Sequence, residues 1–144
     1  MRYLIAILAL AGAVVSALAL QVHYSTATEP CSINERWDCG VVNHSPFAVI
    51  DHIPVADFGI AGYVVLAGLA LARLRFLLFL ASFAGFDFAA WLTFIEHYVL
   101  QVWCLYCVIS QGIIALMMLL SLGWLTAEYL RLRRTARGVG STPH

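Results

Sequence analysis

The chain has 144 residues, 62% of them hydrophobic and 11% charged, with no lysine and a formal net charge of zero. That composition excludes a water-soluble domain, whose surface needs far more polar cover, and a nucleic-acid binder, which needs a basic field. One bundle with lipid as its solvent is the expected architecture.

Residues 3–22 are apolar apart from Ser16 and Gln21, and such a run reaches about 30 Å, one hydrocarbon thickness. They make the first predicted span. A cleaved secretory signal is the competing reading because Arg2 precedes the run, but the run exceeds a usual signal core, so it is taken as retained. Residues 23–57 form a long loop, too long and apolar for a plain linker. Within it, Ser45-Pro46 reads as an N-cap followed by proline at the first helical position. Phe47-Ala48-Val49-Ile50 continues the turn until Pro54 stops it. A short helix over the bundle mouth is expected there.

Residues 58–72 make span two, Arg73-Leu74-Arg75 a tight polar turn, and residues 76–95 span three. After a short connection, residues 102–125 make span four. The predicted fold is therefore all-α, an integral membrane four-helix bundle over residues 1–130. The remainder, 131–144, is a cytoplasmic tail anchored by Arg131, Arg133 and Arg134 and disordered from Gly138.

Seven arginines (Arg2, Arg73, Arg75, Arg131, Arg133, Arg134 and Arg137) fall on one side of this topology and only Arg36 on the other. Cytoplasmic flanks are enriched in such residues, so both termini are predicted cytoplasmic, with the 23–57 loop and the 96–101 connection exoplasmic. Tyr24, Trp37, Tyr98 and Trp103 then lie near the outer interface, where aromatic rings are favoured.

All four cysteines fall on that exoplasmic side, where disulfides can form. Cys104-Leu105-Tyr106-Cys107 opens span four, and the spacing sets both sulfurs on one helical face at a helix N-terminus, which favours a thiolate. Apolar core cysteines and half of a zinc site are the competing readings. Zinc is disfavoured because Cys31 and Cys39 lack the short spacing of a ligand pair, so no metal is expected. Cys31 and Cys39 read as a second disulfide, either a loop staple or a shuttle that exchanges with the helix pair. Gly40 beside them would permit close backbone approach. Asp87 is an ionisable group in mid-span and hence a functional candidate, with a paired acid facing the bundle interior as the bland alternative. Glu96 and His97 could move protons or simply be solvated at the rim, and His23, His44 and His52 read as interfacial loop residues.

The ordered combination of Cys31, Cys39, Ser45, Ile53-Pro54, Phe58-Gly59 and Cys104-Leu105-Tyr106-Cys107 resembles the vitamin K epoxide reductase family, particularly its bacterial members without a fused thioredoxin-like domain. The resemblance implies a quinone-dependent thiol–disulfide oxidoreductase of the bacterial inner membrane. Its partner would be an exoplasmic thioredoxin-fold protein, its acceptor a quinone of the ubiquinone or menaquinone type. It implies that Cys107 lies next to the quinone, Cys104 exchanges with the loop, Cys39 meets Cys104, and Cys31 faces the external partner. Phe58 and Gln111 are the expected quinone contacts, with Ser45 a further candidate.

Animal members carry a tyrosine where this chain has Gln111 and an asparagine where it has Val55, which points to simple quinone reduction over the alternative of epoxide reduction. An unrelated four-span disulfide-generating protein shares the chemistry but has its Cys-x-x-Cys ahead of its separated pair, the reverse of the order here. A non-catalytic membrane adaptor with two structural disulfides is the reading from another class.

Overall fold

The computed structural model describes residues 1–26 and 31–139. Four long helices pack side by side: α1 (Arg2–Tyr24), α3 (Val55–Leu71), α4 (Arg75–Ile95) and α5 (Leu105–Val139). A short helix, α2 (Cys39–Asn43), and a two-stranded hairpin lie between α1 and α3. Three of the long helices are long and apolar enough to cross a membrane, and α3 is a shorter apolar helix of 17 residues. The chain is an all-α membrane bundle.

Helix α1 buries Ile5, Ala9, Gly12, Ser16, Ala19 and Val22, a spacing of three and four residues that keeps one stripe on one face. Most of that stripe is small, which lets backbones approach closely. Gly12 lies directly against the Tyr63 ring of α3, where a Cβ would collide. A Cβ on Gly59 would stand 2.7 Å from Ser16 Oγ. The central core joins Ile5 and Ala9 to Tyr63, Leu66 and Ala70 of α3, Leu78 of α4, and Ile114 and Met117 of α5. Outward faces are apolar too: Ile7, Leu10, Val64, Phe83 and Leu119 are all exposed. Such a surface is stable against hydrocarbon and costly in water.

Several boundaries differ from the sequence expectation. Helix α3 begins at Val55, three residues early, because Pro54 fixes the preceding φ and occupies the N-cap position. Helix α5 runs unbroken to Val139, past the point where the tail was expected to begin, since leucines and arginines are good helix formers even beyond the apolar run. The disorder expected from Gly138 is replaced by helix at Gly138 and Val139, and the rest of that stretch falls outside the described residues.

The expected helix over 46–50 is only a single 3₁₀ turn, Pro46–Ala48. β1 (Val49–Ile50) then pairs antiparallel with β2 (Ile53–Pro54), Val49 opposite Pro54. Asp51 and His52 both have positive φ, 48° and 67°, the geometry of a two-residue hairpin turn. Branched Val49, Ile50 and Ile53 favour the extended state that the helix reading overlooked.

Candidate functional site

The loop end of the bundle is built around sulfur. Asp38 caps α2, its Oδ1 accepting from Gly40 N at 2.9 Å and Val41 N at 3.2 Å, and it also accepts from Ser32 Oγ at 2.9 Å. This cap starts a helix turn at Cys39, and Cys39 is disulfide-bonded to Cys31 with their Cα atoms 5.8 Å apart. Gly40 therefore sits in a helical turn with ordinary φ, rather than serving a close backbone approach. The segment before α5 is tied to the same loop: Asp38 N donates to Trp103 O at 3.0 Å and Trp103 N donates to Arg36 O at 2.8 Å. The Trp37 and Trp103 rings lie 6.2 Å apart over this join.

Cys31, Cys39 and Cys104 are buried in one cluster with Val22 and Val42, and Cys107 packs against it. Cys104 and Cys107 are free thiols. Asn43 links the two pairs, its Nδ2 donating to Cys39 O at 2.9 Å and to Cys104 Sγ at 3.5 Å. Cys104 Sγ also accepts from Cys107 N at 3.4 Å. Cys104 stands just before the candidate span that starts at Leu105. The hydrogen bond from the Cys107 side chain draws its pKa below the usual thiol value. The Cys107 and Asn43 donors help, while burial and the Glu96 charge oppose them.

Of the two readings left open for Glu96, a proton carrier or a solvated rim residue, its burial removes the second. A π-helical turn, Glu96–Leu100, ends in left-handed Gln101 (φ 55°) and directs the carboxylate inward. Glu96 is 3% exposed, its Oε2 accepts from Cys104 N at 3.1 Å, and it hydrogen-bonds the Cys107 side chain. A buried carboxylate survives only with such partners.

Below the sulfurs lies a cavity of about 480 Å³, predominantly apolar, reached by Cys107, Glu96, Ser45, Phe58, Tyr63 and Phe88. Ser45 lines this cavity and holds the N-cap position of the Pro46–Ala48 turn, as expected, but its hydroxyl does not cap it: Oγ donates to Val42 O at 2.7 Å. Tyr63 hydroxyl donates to Ser110 O at 2.9 Å and meets Ser110 Oγ at 2.8 Å, joining α3 to α5 across the cavity wall.

Two expected residues stand apart. Gln111 does not line the cavity: it is turned about 100° around α5 from Ser110, which does, and its Oε1 is buried without a hydrogen-bond partner. Asp87 is exposed on α4 rather than facing the bundle interior, and it is also absent from the cavity wall. Of the residues that sequence reasoning missed, Asn43 carried a legible signal, one helical turn beyond Cys39 and behind the Asp38 cap. Tyr63 and Ser110 were also visible as polar residues inside apolar runs.

A membrane bundle with a disulfide, two thiols and an apolar cavity at one end defines a membrane redox protein in outline. The chain belongs to the vitamin K epoxide reductase family, whose family model matches residues 3–122. No curated protein matches it. Members of the family are oxidoreductases, and the chain is an integral membrane protein. Among the described residues, no group of three or more His, Cys, Asp or Glu could hold a metal ion.

Proposed function

We propose that the chain is a quinone-dependent thiol–disulfide oxidoreductase that oxidises an exoplasmic thioredoxin-fold partner. The observation that carries this reading is the position of Cys107. It opens on a cavity of about 480 Å³ while Cys104, one turn away, is joined through Asn43 to the loop disulfide. An apolar ring that accepts two electrons and two protons, of the ubiquinone or menaquinone type, suits such a cavity. Phe58 and Phe88 supply aromatic walls.

Helix α3 is the fourth span in this reading, its 17 residues reaching about 26 Å, within what a bilayer accommodates by slight thinning. In this reading the membrane is a bacterial inner membrane, and the arginine bias supports cytoplasmic termini with the sulfurs on the periplasmic side.

The relay balances as follows. The partner's dithiol reduces Cys31–Cys39 and leaves as a disulfide. Cys39 thiolate attacks Cys104 of a Cys104–Cys107 disulfide, releasing Cys107. Cys31 then displaces Cys104 from Cys39, restoring the loop disulfide and leaving both helix cysteines reduced. That redox state is the one seen here. A low thiol pKa makes Cys104 a good leaving group in this displacement. The dithiol then passes two electrons and two protons to the quinone, yielding hydroquinone and a Cys104–Cys107 bond. Ser45 and Thr93 hydroxyls already donate to backbone carbonyls. Glu96, hydrogen-bonded to the Cys107 side chain at the cavity wall, is in this reading the group that receives the thiol proton and delivers it to a ring oxygen.

The test is anaerobic mixing of the pre-reduced, full-length protein with soluble quinone analogues, read by hydroquinone absorbance. Cys107→Ala is expected to drop the reaction to background and, under oxidation, to accumulate a Cys39–Cys104 mixed disulfide. Unchanged hydroquinone formation in that variant would refute the reading.

A further inference from the structure

A second concave site lies at the opposite end of the bundle. Arg2 of α1, Arg73 in the α3–α4 turn, Arg75 at the start of α4 and Arg131 of α5 line a cavity of about 410 Å³, together with Trp124 and Glu128. Four guanidinium groups from three stretches of chain thus share one cavity with a single carboxylate.

Arg75 is the fixed member. Its Nη1 lies 3.2 Å from Glu128 Oε1, its guanidinium carbon sits 5.0 Å from the Trp124 ring centroid, and its Nε is buried without a partner. Arg73 holds a left-handed conformation, φ 60°, in a turn closed by Arg73 N to Ala70 O at 3.2 Å and Leu74 N to Leu69 O at 3.1 Å. The first turn of α4 has no side-chain cap, so its N–H groups add partial positive charge at the same place.

An arginine bias that orients a chain in a membrane requires only that the charges lie near the span ends. It does not require them to converge on a cavity, nor to leave a buried donor unpaired there. Depth indicates what occupies the cavity. Trp124 is about twenty residues along α5 from Cys104, roughly 30 Å, so the site lies one hydrocarbon thickness from the sulfur end, at headgroup level. Beside it the first two turns of α1 and α4 expose Leu4, Ile7, Phe76 and Leu80, apolar surface that acyl chains would cover.

We infer that this cavity binds the phosphate of an anionic phospholipid, its oxygens accepting from the forked guanidinium groups of Arg73 and Arg131, with the charge of Arg75 beside them. Arginine suits such a ligand because its planar fork matches phosphate oxygens two at a time. A bound headgroup would tie the α3–α4 turn to α5 and raise stability by mass action. The site is independent of the redox chemistry.

The experiment uses the full-length protein in neutral detergent, titrated separately with phosphatidylglycerol, phosphatidylcholine and inorganic phosphate, reading Tm and the adducts retained in native mass spectrometry. Phosphatidylglycerol is expected to give a one-to-one adduct and a Tm shift at least threefold larger than phosphatidylcholine, which carries the same phosphodiester without net charge. The double variant Arg73→Gln, Arg131→Gln keeps the Arg75–Glu128 pair and is expected to lose most of that shift while keeping its quinone-reduction rate. Equal shifts from the two lipids overturn the proposal, and that comparison needs no variant. An undiminished shift in the double variant also overturns it, and an inorganic phosphate shift as large as that of phosphatidylglycerol replaces the lipid with a soluble anion.

Discussion

At the sulfur end, Asn43, Ser45 and Glu96 are each no more than 9% exposed, and each places its side chain in a hydrogen bond to backbone or sulfur. At the arginine end the side chains stay open, and the Arg75–Glu128 pair is 26% and 34% exposed. A buried, partnered polar group is expensive to orphan, of order 1–3 kcal/mol, whereas exposed ion pairs contribute about 0–1 kcal/mol each. One end is thus held in a single geometry able to align sulfurs, and the other is a charged surface that tolerates change. Conservative single substitutions should therefore separate the two ends in redox rate.

The largest effect expected from such a substitution is at Glu96. Glu96→Gln keeps an acceptor for Cys104 N but cannot carry a proton, so hydroquinone formation should fall by roughly 10², the usual contribution of a positioned general base. The pH profile should lose one ionisation while Tm moves little. A merely structural Glu96 would leave that profile unchanged, and that result would remove it from the proton path. Next comes Asn43→Ala, which deletes the donor to Cys104 Sγ. Because hydrogen-bond donors hold the Cys104 pKa down, losing one raises it. Less thiolate then exists at neutral pH, and the Cys104 alkylation rate should fall several-fold there and recover in alkali. An unshifted profile would show that Asn43 only braces the loop.

The helices and the sulfur pairs were legible in the sequence because each depends on local pattern: an apolar run of span length, or a three-residue cysteine spacing. What escaped was set by the long-range fold. For Glu96 the sequence left a rim residue and a proton carrier equally open, since it adjoins the polar connection at the end of span three; only the π-helical turn rotates its carboxylate inward. Phe58 and Ser45 were singled out through the resemblance rather than local pattern, and both line the cavity. The inward-facing alternative for Asp87 fails because depth in a span can be counted from sequence but rotation about the helix axis cannot, and α4 has no polar stripe to reveal it. The hairpin at Asp51-His52 was masked by a plausible proline start.

The smallest effect sharpens the boundary of the quinone cavity. Gln111 occupies the position where the family resemblance expected a ring contact, yet Tyr106, Cys107, Ser110 and Ile114 form the cavity face of α5 and Gln111 does not. Its Oε1 is buried with no partner, a small standing cost to the fold. Gln111→Leu, similar in volume, removes that orphan. It should leave hydroquinone formation within about twofold and raise Tm slightly, since an apolar group replaces an unpaired polar one. A tenfold loss of rate with Tm unchanged would mean that the ring reaches around α5 past Ser110. The cavity face would then have to be redrawn to include the position that this chain, unlike the animal members, fills with an amide.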